Sequence, residues 1–152
     1  MSTIHRVQNS LVAYVKGAPR ETLELCTHIR MNERDCPLDY DLQAKVLAAN
    51  DDFAREGLRV LAVAMRSLTE PTVKAQPVGE YTPEAVEHDL TFLGLAAMMD
   101  PPRVEVRMAV EKCHRAGIRI VMITGDYGLT AESIARRVGI VGEGARLVSG
   151  SD

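Results

Sequence analysis

Two β-prone runs, 3–7 and 11–15, are separated only by Gln8, Asn9 and Ser10, a spacing that predicts a hairpin. Pro19 suits the first turn of a short helix, where its missing N–H is not needed, and Leu23 and Cys26 share that helix's inner face; its end is expected near His28. Leu42, Val46, Ala49 and Phe53 then recur at helical spacing, so an amphipathic helix is expected over 39–56, stopped by Gly57. Residues 58–65 read as a buried strand. The stretch 69–83, with Pro71, Pro77, Gly79 and Pro83 and no periodicity, reads as a surface loop.

A second strand is expected over 91–99, ended by Pro101 and Pro102, which cannot donate to a ladder. Beyond them come a helix with Val106, Val110 and Cys113 inward, a strand over 118–123, and a helix with Ala131, Ile134, Ala135 and Val138 inward. These elements predict an α/β (α+β) chain of two units. The first, 1–99, is mainly antiparallel; the second, 100–152, is Rossmann-like, with the junction at Asp100, Pro101 and Pro102.

Composition changes this picture little. The chain of 152 residues contains enough apolar side chains to bury a core. No run approaches the roughly 18 apolar residues of a membrane span, and no basic-then-apolar leader stands at the N-terminus. A net charge of −3 and an aromatic content of 4% give neither a basic face nor stacking platforms for nucleic acid. Cys26, Cys36 and Cys113 lie at no metal-ligand spacing and fit reduced thiols, while His5, His28, His88 and His114 are dispersed.

Chemistry concentrates at Thr124-Gly125-Asp126, between an apolar run and a helix. Open α/β sheets place their ligands at such strand ends, and a phosphate there meets backbone N–H groups, a hydroxyl and a helix N-terminus. For the tripeptide alone, a plain strand-to-helix turn with Asp126 as a cap is the commoner reading.

Three segments taken together are more specific: Lys16-Gly17-Ala18-Pro19, Asp100-Pro101-Pro102-Arg103 and Met122-Ile123-Thr124-Gly125-Asp126. In order and spacing they resemble the P-type cation-transporting ATPases, especially the calcium-pump-like subfamily, and the resemblance covers nearly the whole chain. It implies the later part of a nucleotide-binding domain joined by a hinge to the start of a haloacid-dehalogenase-like phosphorylation domain. By resemblance Lys16, with Gly17 beside it, lines an adenine pocket; Arg59 reaches toward the phosphates, as its multi-donor guanidinium suits; and Leu61, two residues on, offers apolar surface to base or ribose. Thr124, Gly125 and Asp126 match the motif that meets the γ-phosphate and the metal end of the nucleotide. Two positions depart from the family pattern: Arg20 replaces a glutamate, and Tyr127 stands where many similar pumps carry a smaller polar residue.

The phosphorylated aspartate of the family lies in DKTGT and its magnesium site in GDGxND, and neither pattern occurs here. The expectation is therefore a soluble cytoplasmic piece of an integral membrane pump, not catalytic by itself. ATP or ADP and the remaining pump domains are its expected partners, without direct membrane contact, and Mg is used in the parent. A protein-interaction module that keeps the fold without binding nucleotide is the alternative. A haloacid-dehalogenase-like phosphatase is excluded by the missing nucleophile loop.

Overall fold

The computed structural model describes residues 1–8, 10–68, 81–142 and 148. Internal contacts divide the chain into one unit of Met1–Asn50 with Val60–Ala96, and another of Asp51–Arg59 with Ala97–Asp152. The segment Asp51–Arg59 thus belongs with the later residues, although the chain passes through it between two parts of the first unit.

The sheet has six strands: β1 (Ser2–Val7), β2 (Ser10–Gly17), β3 (Cys26–Met31), β4 (Arg34–Pro37), β5 (Arg59–Ser67) and β6 (Leu90–Met98). Their order across the sheet is β1-β2-β5-β6-β3-β4. The β1–β2 hairpin forms as its sequence predicts, with Ile4 opposite Ala13. The pairing is not uniformly antiparallel, however: β3 runs parallel to β6. The helix opened by Pro19 also ends earlier than expected. α1 (Pro19–Glu24) gives way at once to β3, because Thr27, Ile29 and Met31 belong to a strand-forming run that pairs on both edges. Asn32 and Glu33, at φ 48° and 66°, form the two-residue turn into β4, a hairpin that the sequence does not signal with glycine.

Between the sheet's elements runs α2 (Tyr40–Arg55), whose first turn is capped where Asp39 accepts the Leu42 N–H at 2.8 Å. Val46 and Leu47 pack against a core that includes Val15, Ala62, Ala64, Leu90 and Phe92. Ala62 and Ala64, fully buried, bring only a methyl group each to this contact. Phe53 was expected inward but is exposed, and Asn50 and Ala54 are buried instead. The inner stripe therefore runs one residue off the expected phase at the end of the helix. Cys26 is buried and its thiol donates to the Thr22 carbonyl at 3.1 Å; burial pushes its pKa up to about 11, so it stays a thiol at neutral pH.

Residues 69–80 of the expected loop lie outside the described residues, and Pro83 opens a short helix, α3 (Pro83–Val86). In the second unit, α4 (Val104–Arg115) buries Val110, and α5 (Gly128–Arg137) buries Thr130 and Ala135. The strand expected over 118–123 is not formed. A parallel strand needs a neighbour to receive its N–H groups, and no described strand pairs with this one; Val121 and Ile123 accordingly stand 72% and 94% exposed. The described residues thus form a mixed α/β structure without a second sheet.

Leu90 is fully buried in the main core, so Leu90→Ala is expected to lower stability by about 2–5 kcal/mol in urea unfolding with an unchanged slope.

Candidate functional site

Lys16 and Gly17 end β2, where they pair with Val63 and Ala62 of β5. Directly paired residues share a face, and side chains alternate along a strand, so Lys16, Val63 and Leu61 lie on one side of the sheet while Val15, Ala62 and Ala64 form the core on the other. The Lys16 backbone exchanges hydrogen bonds with Met1, accepting from its amine at 3.1 Å and donating to its carbonyl at 2.9 Å. That fixes the strand end and leaves the Lys16 side chain exposed. Gly17 has a packing reason of its own: a Cβ there would stand 2.8 Å from the hydroxyl of Thr22, a buried residue of α1.

The same sheet face carries residues that sequence reasoning missed. Met65 pairs with Tyr14, two residues from Lys16, and the Met65 sulfur accepts from Arg30 Nη2 at 3.8 Å. Arg30 also forms a forked ion pair with Asp35, Nη2 to Oδ2 at 3.2 Å, and that hydrogen bond is the main reason the Asp35 carboxyl sits below the usual carboxylate range. No signal in the sequence marks this pair, because β3 and β4 themselves were not legible.

The second unit gathers Arg59, Thr124 and Asp126. Arg59 directs its Nε at Asp126 Oδ1, 3.1 Å away, and its Nη2 hydrogen-bonds the same oxygen. The Thr124 hydroxyl donates to Asp126 Oδ2 at 3.0 Å and accepts the Asp126 N–H at 3.1 Å. Both carboxylate oxygens are thereby used. The Asp126 carboxyl is held below its ordinary range first by the Arg59 hydrogen bond and then by the Thr124 hydroxyl. Gly125 differs from Gly17, since a Cβ at 125 would meet nothing within 4 Å; packing does not explain this glycine. Where the sequence led to the expectation of an arginine reaching for phosphate, the guanidinium rests on a carboxylate. Asp100, Pro101 and Arg103 are exposed and lie outside regular structure.

Three side chains of α5 and its cap hold the segment that delivers Arg59. Tyr127 donates its hydroxyl to Asp51 Oδ1 at 2.9 Å, buried Thr130 donates to the Leu58 carbonyl at 2.9 Å, and Arg137 Nη2 donates to the Glu56 carbonyl at 2.9 Å. Gly57, at φ 80°, lies under this row, and a Cβ there would come within 3.1 Å of the Ser133 hydroxyl. Among the described residues no group of three His, Cys, Asp or Glu side chains is placed to hold a metal ion.

Residues 1–105 match the family described as P-type ATPase, cytoplasmic domain N. The chain belongs to the P-type ATPase family. It is 36% identical over all its 152 residues to "Calcium-transporting ATPase 1" of Bacillus cereus, and 33% identical over 141 residues, 93% of its length, to a calcium-transporting ATPase of Listeria monocytogenes. It spans only 16% and 15% of those two relatives. In this P-type ATPase chain, the described residues include no helix long and apolar enough to cross a membrane.

Asp126 has a lowered folded-state pKa, so the stability contributed by its pair with Arg59 is complete above the unfolded carboxylate value of about 3.9 and is lost as pH falls through the folded value. Arg59 is 65% exposed, which limits the contribution to about 1 kcal/mol. Asp126→Asn is therefore expected to destabilise by no more than about that amount at neutral pH. In denaturant unfolding the difference between wild type and variant should close as the pH is taken below the carboxylate range.

Proposed function

We propose that this chain is an ATP- or ADP-binding segment of a P-type cation-transporting ATPase, with hydrolysis and ion transport belonging to a longer polypeptide. The observation that carries this is the shared face of Lys16 and Leu61 on β2 and β5 in a chain matched to domain N. A lysine ammonium beside apolar strand residues suits the face and edge of a purine, with the flat apolar surface on one side and a mobile cation on the other. On this reading Lys16, Gly17 and Leu61 attend the base and ribose. Arg59 attends the phosphates, and Thr124, Gly125 and Asp126 belong to the phosphate and metal end. Both relatives are named as calcium transporters, and calcium is carried over as the ion moved by the whole pump. The other pump domains are the remaining partners, and Mg enters with the nucleotide in the parent protein.

Phosphoryl transfer depends on positioning and charge neutralisation around a nucleophile and a metal. This sequence contains neither DKTGT nor GDGxND, so the proposal assigns binding to this chain and no catalysis. The occupied state of Arg59 favours the alternative, an interaction module that keeps the fold without nucleotide, since a guanidinium already paired to Asp126 is not free for phosphate.

Amide chemical shifts followed during ATP titration decide between them. Stacking a base on an aromatic ring is worth roughly 1–3 kcal/mol, which Leu61 does not supply, so binding is expected to be no tighter than about millimolar, with shifts near Lys16, Arg59 and Leu61. No shift at those residues at any ATP concentration would contradict nucleotide binding and favour the interaction-module reading. Saturation at low micromolar ATP would show that the expected weakness is wrong. Magnesium-dependent phosphate release by the purified chain would contradict the assignment of catalysis to the longer polypeptide.

A further inference from the structure

Tyr127 stands directly after the Thr124–Asp126 turn and before the first residue of α5, with extended backbone angles of φ −56° and ψ 135°. Its hydroxyl spans 76 positions of sequence to reach Asp51 Oδ1 at 2.9 Å. Tyr127, Thr130, Ser133 and Arg137 are spaced by three, three and four residues and so fall along one side of the helix and its cap. Each meets the segment Asp51–Arg59: Tyr127 at Asp51, Thr130 at the Leu58 carbonyl, Arg137 at the Glu56 carbonyl, and Ser133 over Gly57. Arg59 is the next residue after Leu58, and its partner Asp126 immediately precedes Tyr127.

The two ends of the Arg59–Asp126 pair are therefore each one residue from an anchored position. Thr130 fixes Leu58, and the bond to Asp51 fixes Tyr127, the residue beside Asp126. A guanidinium that is mostly exposed gains little from an ion pair by itself, because water and side-chain freedom compete with it. Anchoring both neighbours removes part of that freedom beforehand.

We propose that Tyr127 is a positioning residue: through its bond to Asp51 it holds the Thr124–Asp126 turn where Asp126 captures Arg59, and so keeps Arg59 from an incoming phosphate. The consequence for nucleotide rests on the ATP-binding reading above; the capture of Arg59 does not. On this account ATP must exchange a carboxylate for a phosphate oxygen at Arg59. The hydroxyl at position 127 then sets how firmly the carboxylate holds on, and removing it makes that exchange easier.

The test uses the Arg59 Nε–H resonance of the whole chain, with Asp126→Ala, which removes the acceptor, marking the position of a released guanidinium. In Tyr127→Phe, which removes only the hydroxyl, the resonance is expected to move toward that position. Asp51→Ala should behave like Tyr127→Phe, whereas Asp51→Asn, which keeps an oxygen acceptor, should retain the wild-type resonance. ATP titration of Tyr127→Phe should show binding tighter by about two- to tenfold, the range that one hydrogen bond sets. A merely structural tyrosine would weaken binding instead. An unmoved Arg59 resonance in Tyr127→Phe, or weaker ATP binding in that variant, overturns the proposal. Absence of ATP-induced shifts in wild type and variants alike refutes the nucleotide reading, while the Arg59 resonance still decides the role of Tyr127.

Discussion

The register between β2 and β5 is the constraint on which the candidate site depends. Six consecutive pairs, from Val12 opposite Ser67 to Gly17 opposite Ala62, leave no freedom to slide, since a shift of one residue would either turn Ala62 and Ala64 out of the core or bury Lys16. Burial on one face thus dictates what the other face presents. Burying an unpaired ammonium is far more costly than exposing a methyl group, so the apolar partners of Val15 fix Lys16, Val63 and Leu61 on the open side. Gly17 completes the arrangement by letting Thr22 and α1 close over the strand end.

β5 also begins with Arg59, which ties the strand to a different set of contacts. Its neighbours in the chain, Glu56 and Leu58, give their carbonyls to Arg137 and Thr130, and Gly57 adopts the left-handed backbone between them. Thr130 is buried, so its hydroxyl both satisfies the Leu58 carbonyl and is itself satisfied, which makes this contact one that no apolar residue replaces without loss. The exposed Arg59–Asp126 pair is energetically minor by comparison. Its importance is geometric, because it decides what the guanidinium faces.

Much of this fold is legible in the sequence wherever apolar residues recur with one clear period. The β1–β2 hairpin, α2, β5, β6, α4 and α5 all follow such patterns. The β3–β4 hairpin does not, because Asn32 and Glu33 make its turn without the glycine that usually marks one, and Pro19 draws the eye to a longer helix. Residues 118–123 carry a strand's composition, but strand formation needs partners, which periodicity within one segment cannot supply. Phe53 shows the same limit at smaller scale, since the helix end turns Ala54 inward instead. At the site, Lys16, Arg59 and Thr124-Gly125-Asp126 stand out by their motifs, but the attachment of Arg59 to Asp126 joins residues 67 positions apart. Nothing local encodes a contact of that range, nor the reach of Tyr127 to Asp51.

The face bearing Lys16 and Leu61 is proposed to receive the base of a nucleotide. Photolabelling with 8-azido-ATP, followed by peptide mapping, addresses that face directly because the reactive group sits on the purine. Label is expected on β2 and β5 peptides around Lys16 and Leu61, suppressed by excess unmodified ATP. Label distributed without preference among the peptides, or unaffected by competing ATP, would contradict it.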